Sequence, residues 1–300
     1  LSGITAAFWV SLLAVSYAYV GYAAILWVVS RFGTQNRPND AVQDGPLPSV
    51  TMIISAFNEE HVIGEKIENV LSLDYPSELL QVIVASDGSS DRTCAIVSQF
   101  AARGVMLRHY DGRIGKTASL NRTVPLAAGE IVVFSDANSI YSADALKALV
   151  RPFQDATVGF VTGWTRYGSG KDASATTSPG IEIYSKLELM TKDFESRLGS
   201  CIGADGAIFA IRKTLYLPLN DYDINDLVIP LSINRQGYRG VLASGAICFE
   251  KDAGGSKGEF HRQVRINSRM IRALMHHRQL LNPFRFGLLS YELFSHKVCK

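Results

Sequence analysis

The chain has 300 residues, 47% of them hydrophobic and only 19% charged, with 30 Lys and Arg against 28 Asp and Glu. That is enough chain to bury a sizeable core, and a net charge of +2 excludes nucleic-acid binding by bulk charge as well as charge-driven disorder. The charge is unevenly spread: residues 1–30 carry no acidic or basic side chain, whereas 256–300 carry nine Lys and Arg against two Glu, a net +7 that leaves the first 255 residues at −5.

Residues 4–30 are an uncharged run of 27, longer than the roughly 20 residues that cross a bilayer core as a helix. A secretory signal has a basic start and a shorter apolar core, and neither is present. Residues 1–31 therefore read as a transmembrane helix, with Arg31 and Arg37 behind it favouring a cytoplasmic placement of the rest of the chain. The four cysteines, Cys94, Cys201, Cys248 and Cys299, are far apart with no CxxC pair, which excludes a zinc cluster or disulfide framework and fits a reduced compartment.

Residues 32–48 are polar, with three prolines and two glycines, and read as a tether. Strands and helices then alternate. Strands are expected at 50–56, 80–85, 105–108, 131–135 and 158–162, and helices at 59–71, 91–102, 116–126 and 142–153. This alternation predicts an α/β domain over 49–255, built on a mostly parallel sheet covered on both faces, with ligands bound beyond the carboxyl ends of the strands. Residues 256–300 read as basic, amphipathic interfacial helices, with Arg262, Arg265, Arg269 and Arg272 on one helix face.

Polar residues stand at three strand ends: Phe57-Asn58-Glu59-Glu60 after the first, Asp87-Gly88-Ser89-Ser90-Asp91 after the second and Asp136-Ala137-Asn138 after the fourth. Asn58 and Asp91 read either as helix caps or as part of a site; three such groups at strand ends favour a site. Gly115-Lys116-Thr117 is not a P-loop, because Tyr110 occupies the place of the motif's first glycine. A lysine at a helix start still suits a phosphate or ribose.

The stretches SVTMIISAFNEE (49–60), VIVASDGSSD (82–91), GKTASLN (115–121), IVVFSDANS (131–139), GADGAIFAIRK (203–213), DINDLVIP (223–230) and HRQVRINSR (261–269) carry a resemblance through their order and spacing. Over residues 48–300 the sequence resembles family 2 glycosyltransferases of the Rossmann-like GT-A fold, in the membrane-bound branch of cellulose and hyaluronan synthases and bacterial exopolysaccharide transferases. The resemblance implies an inverting, metal-dependent transfer from a UDP-sugar to a saccharide or lipid-linked acceptor. It places the catalytic domain at the cytoplasmic face of the inner membrane, in contact with membrane lipids. It further implies Asp87, Ala56, Asn58 and Glu59 around the base and ribose, Lys116 at the nucleotide, and Asp136 and Asn138 at the diphosphate with its Mg²⁺ or Mn²⁺. Asp226 falls at the catalytic base, and Arg262 and Arg265 at the first and fourth places of QxxRW, near the diphosphate, with Arg269 and Arg272 nearer the membrane. Trp164, Gly203, Asp205 and Asn225 are candidates for the sugar or acceptor pocket.

The chemistry asks for such groups. Transfer from a diphospho-sugar needs a base for the acceptor hydroxyl, charge neutralisation on the leaving diphosphate and exclusion of water. Taken alone, Asp226 reads equally as a first-turn helix carboxylate, Trp164 as packing, Gly203 as a turn residue, and the arginines as a headgroup-facing stripe. Asn138 brings an amide where the family has a second carboxylate, and no tryptophan follows Arg265. A nucleotidyltransferase on a similar scaffold, or a catalytically silent nucleotide-sugar sensor, stands as the alternative.

Overall fold

The computed structural model describes residues 3–32, 45–167, 179–250 and 256–299; most of the tether expected at 32–48 lies outside them. Strands β1 (Val50–Ala56), β2 (Leu80–Asp87), β3 (Val105–Tyr110) and β4 (Ile131–Asp136) form where β-branched and apolar residues run together. They pair in parallel in the order β3-β2-β1-β4. Alternate side chains enter opposite cores: Met52 and Ile54 one, Ile53 the other. Both faces are therefore covered, as a parallel sheet requires. The first core is closed by helices α3 (Ile63–Leu71), α4 (Thr93–Ser98) and, farther along the chain, α6 (Ala145–Val150). The second is closed by α5 (Lys116–Thr123) and the later helices.

Beyond β4 the sheet becomes mixed. Strands β5 (Ser139–Tyr141), β6 (Val158–Tyr167), β7 (Ile208–Arg212) and β8 (Arg239–Glu250) complete eight strands in the order β3-β2-β1-β4-β7-β6-β8-β5. β7 runs antiparallel to both β4 and β6, and β5 antiparallel to β8. The parallel half matches the sequence expectation, and the antiparallel strands add to it. The reversal of β7 matters for the site. Its first residue, Ile208, pairs with Ser135 near the carboxyl end of β4, so residues 203–207 reach the same sheet edge.

The apolar N-terminal segment is one helical rod: α1 (Gly3–Ser16), a π-helical turn Tyr17–Gly21 and α2 (Tyr22–Phe32). Over Gly3–Arg31 it is long and apolar enough to cross a membrane by length and composition. Ala18, Tyr22, Leu26 and Ser30, four apart, form its buried stripe. Tyr22 and Leu26 pack against Phe194 of α7 (Pro179–Leu198), while Phe8, Trp9, Leu13 and Val20 are exposed. Helix α8 (Asn225–Arg235) precedes β8. After it come α9 (Ser256–His276), α10 (Pro283–Phe286) and α11 (Leu288–Leu293), the last sending Leu293 into the second core.

Candidate active site

The strand register levels the site. Ala56 stands opposite Ser86, and Ser55 opposite Asp136, so β2 and β4 each end within one residue of the level of the β1 end, at one edge. There a cavity of about 910 Å³ opens. The β1 end contributes Ala56, Phe57 and Glu59, the β2 end Asp87, and the β4 end Asp136 and Asn138. The start of α5 brings Gly115 and Lys116, the β7 approach Asp205 and Gly206, and the start of α8 Asn225 and Asp226.

At the β2 end, both Asp87 oxygens accept from the Gly115 N–H, at 2.9 and 3.0 Å. Gly115 has φ +91°, a conformation that favours glycine, and it turns the chain into α5 so that Lys116 faces the cavity. Lys116 Nζ donates to Asp136 Oδ1 at 2.6 Å. Burial alone would lower the Lys116 pKa. The paired Asp136 and the charges of Asp226 and Glu250 outweigh it and raise the pKa, which keeps the ammonium charged. Arg113 lies 4.0 Å over the Phe57 ring, and both line the cavity.

On the opposite wall, Ala204 N–H donates to Asp226 C=O at 2.8 Å, tying the β7 approach to the first turn of α8. Burial raises the pKa of the Asp226 carboxyl; Lys116 and Lys297 pull it down, while Asp136 and Asp205 push it up, for a net rise. Glu59 is raised too, by burial and by the charges of Asp136 and Asp91. Asp226 is thus a half-buried carboxylate with raised proton affinity in the same cavity as a charged lysine, an arrangement that perturbed functional groups often share. Asn225 is 8% exposed, and among the described residues its Nδ2 has no hydrogen-bond partner. A buried amide donor without a partner is costly, and this one sits in the lining of the cavity.

A family profile described as "Glycosyltransferase like family 2" matches residues 48–269. The chain belongs to glycosyltransferase family 2. The beta-monoglucosyldiacylglycerol synthase of Trichormus variabilis is 36% identical over 121 residues, 39% of this chain and 26% of the synthase. The poly-beta-1,6-N-acetyl-D-glucosamine synthase of Staphylococcus aureus is 24% identical over 77% of this chain and 58% of its own length. The chain thus spans about a quarter of the first relative and just over half of the second. Among solved structures, a mannosyltransferase from Pyrobaculum calidifontis in complex with GDP-mannose and Mn²⁺ matches with a TM-score of 0.76 at 21% identity, covering 96% of this chain and 81% of that one. The fold is that of the GT-A enzymes.

Within this family 2 domain, nine residues singled out from the sequence line one cavity: Ala56, Glu59, Asp87, Lys116, Asp136, Asn138, Asp205, Asn225 and Asp226. Three do not. Asn58, at φ +54°, uses its Oδ1 to accept from Ser90 N–H at 2.9 Å and so stitches the β1 and β2 loops together. Trp164 is turned onto the sheet, its Nε1 donating to Ser244 C=O at 3.3 Å. A Cβ added to Gly203 would stand 3.5 Å from both Asp226 C=O and Lys297 Cε, ordinary contact distance. Arg262 and Arg265 lie on α9 with side chains outside those described. Asp205 faces the cavity, but its oxygens already accept from Thr165 N–H (2.9 Å) and Ala207 N–H (3.1 Å).

Sequence reasoning gave Phe57 no role of its own and passed over Arg113. Phe57 follows Ala56 directly, a signal that was available. Arg269, expected nearer the membrane, lines the cavity.

Proposed function

We propose that this domain is an inverting glycosyltransferase that moves a sugar from a UDP-sugar onto a saccharide or lipid-linked acceptor, at the cytoplasmic face of the inner membrane. The observation that carries the reading is the pairing across one cavity of a half-buried carboxylate, Asp226, with the Lys116–Asp136 ion pair. The nucleotide base fits the end walled by Asp87, Phe57 and Arg113, where the stacked guanidinium and ring present a flat surface. Lys116 and Arg269 meet the diphosphate with positive charge as the leaving group departs. Asp226 takes the proton of the acceptor hydroxyl as its oxygen attacks the anomeric carbon. A single displacement of this kind inverts that carbon. The unpartnered Asn225 amide, adjacent to the base, suits a hydroxyl of the sugar or acceptor.

Among the described residues no cluster of three or more His, Cys, Asp or Glu would by itself hold a metal. The donor set nevertheless fits a hard divalent ion shared with the substrate. Asp136 and Asn138 offer one carboxylate and one amide oxygen, and Mg²⁺ or Mn²⁺ is commonly held by few protein oxygens plus phosphate oxygens. Such an ion supplies Lewis-acid stabilisation of the leaving diphosphate. The membrane placement rests on the apolar rod Gly3–Arg31, and on relatives named as glycolipid and polysaccharide synthases.

The test is release of nucleoside diphosphate by detergent-purified protein from a panel of UDP-sugars and GDP-mannose, with Mg²⁺ or Mn²⁺. Turnover of one UDP-sugar, abolished in Asp226→Asn, is the expected result. Turnover of GDP-mannose alone would replace the donor, and binding of no sugar nucleotide would overturn the reading.

A further inference from the structure

Lys66 of α3 has no exposed surface at all. A wholly buried ammonium is costly unless its hydrogens are taken up, and among the described residues Lys66 makes no ion pair. Its Nζ instead donates to Ser139 C=O at 2.5 Å, with Ser139 Oγ at 3.4 Å, and stands 4.0 Å over the ring of Tyr141. Burial pushes its pKa down to about 7, against the raising charges of Asp136 and Glu250. Charged or neutral, the amine has an N–H to give, so the bond to Ser139 persists in both states.

Ser139 is where this contact reaches the site. Its Oγ donates to Asp136 C=O at 2.8 Å and shares a hydrogen bond with Ser135 Oγ at 3.1 Å. One turn beyond Lys66, Asn69 Nδ2 donates to Tyr141 C=O at 2.9 Å, and its Oδ1 accepts from Tyr141 N–H at 2.8 Å. Helix α3 therefore grips β5 at both ends. β5 is a three-residue edge strand with β8 as its one neighbour in the sheet, so its own ladder holds it weakly. The turn between β4 and β5 carries Asp136 and Asn138. It is braced by the β1–β4 ladder on one side and by this grip on the other.

We propose that Lys66 is a positioning residue for the donor site: from behind the sheet its Nζ holds Ser139 and thereby sets where Asp136 and Asn138 meet a nucleoside diphosphate. The inference rests on the donor reading above and adds a residue that is not part of the cavity lining. A merely structural lysine would change stability and leave the affinity of the folded protein for UDP untouched.

The experiment is calorimetric titration of UDP with Mn²⁺ into the full chain in detergent. It compares wild type, Lys66→Met and Lys66→Arg at a temperature where thermal melts show each to be folded, and is joined by steady-state kinetics. The expected result is UDP affinity weakened roughly tenfold in Lys66→Met, as for loss of a buried hydrogen bond. Donor KM should rise in step, kcat should change much less, and Lys66→Arg should recover most of the loss. A folded Lys66→Met that binds UDP like wild type overturns the proposal. If Lys66→Met does not fold, Lys66→Gln takes its place under the same criterion; if none of the three folds, the role is structural and the proposal is overturned. Wild-type protein that binds neither UDP nor GDP overturns the donor reading, and this inference with it.

Discussion

A Cβ added to Gly206 would stand 3.0 Å from Asp226 Oδ2. The candidate base therefore rests against bare backbone, on a wall that Ala204 N–H already ties to Asp226 C=O. Gly206→Ala forces the carboxylate to move by a few tenths of an ångström, which under the proposed mechanism disturbs its reach to the acceptor hydroxyl. Misplacement of a reacting group by about 1 Å costs on the order of a hundredfold. A smaller shift here predicts a kcat lower by roughly tenfold, with donor KM little changed. Steady-state kinetics at saturating acceptor checks this; an unaltered kcat would remove Gly206 from the positioning of the base.

Asp226 also links activity to stability with opposite signs. Burial raises its folded-state pKa above the ordinary carboxylate value, with Asp136 and Asp205 adding and Lys116 and Lys297 opposing. The folded carboxyl thus holds its proton more tightly than the unfolded one. Its contribution to stability falls as pH rises from the ordinary value through the raised one, and stays at its lowest above that. Asp226→Asn removes this penalty. At pH 7.5, turnover should drop by about 10²–10⁴-fold while the melting temperature stays level or rises. In the wild type, the acid limb of kcat/KM should lie above the usual carboxylate range of about 4. A marked loss of stability in Asp226→Asn would mean that the carboxylate is paired rather than strained.

Much of this was legible in the sequence, for identifiable reasons. Continuous apolar runs at 50–56 and 131–135 became β1 and β4 because a strand buried on both faces needs no alternation. The helix expected at 91–102 shortened to Thr93–Ser98 and a 3₁₀ turn. Asp91 sits one residue before the cap position, its oxygens accepting from Thr93 N–H and Glu60 N–H, each at 3.0 Å, which ties the helix start to the β1 loop. β5 and β7 escaped notice because a three-residue edge strand and a reversed strand owe their existence to partners distant in sequence. Lys66 was within reach: Ile63, Lys66, Ile67 and Val70 follow the i, i+3, i+4, i+7 stripe, which turns a lysine inward. The register that levels Ala56, Ser86 and Asp136 could come only from the paired strands.

The amide at Asn138 makes a metal prediction. With Asp136 as the single carboxylate of the pair, already bonded to Lys116, a divalent ion would depend largely on the substrate's phosphates. Asn138→Asp adds a charged oxygen ligand. The Mn²⁺ concentration for half-maximal activity should fall by roughly tenfold, by analogy with the effect of ligand charge on hard-cation sites. Without metal, the added negative charge should weaken UDP binding. Chelator should abolish activity in both proteins. Titration of activity against free Mn²⁺ decides; an unchanged midpoint places Asn138 out of the metal's reach.

The apolar rod is joined to the domain by a buried polar chain that should make its docking sensitive to pH. Tyr22 Oη donates to Glu195 Oε1 at 2.8 Å, His296 Nδ1 donates to the same oxygen at 2.6 Å, and His296 Nε2 donates to Glu188 Oε1 at 2.9 Å, with Lys297 3.8 Å from Glu188. Two carboxylate partners require both ring nitrogens to donate, which is the imidazolium. Burial works against that charge, and so does Lys297, but Glu195 and Glu188 prevail and the folded pKa lies above the usual 6.5. The stability this group supplies is fully present below the unfolded value and is lost as pH rises through the folded one. Wild-type protein in detergent should therefore melt lower at pH 9 than at pH 6. His296→Gln breaks a buried pair, so it should cost about 3 kcal/mol at pH 6, with the gap to wild type narrowing towards pH 9. Glu188, Glu195 and Lys297 remain in the variant, so the difference between the two pH profiles isolates the imidazole. Parallel profiles from pH 6 to 9 would show that His296 is neutral, leaving one of its two carboxylate contacts without a proton.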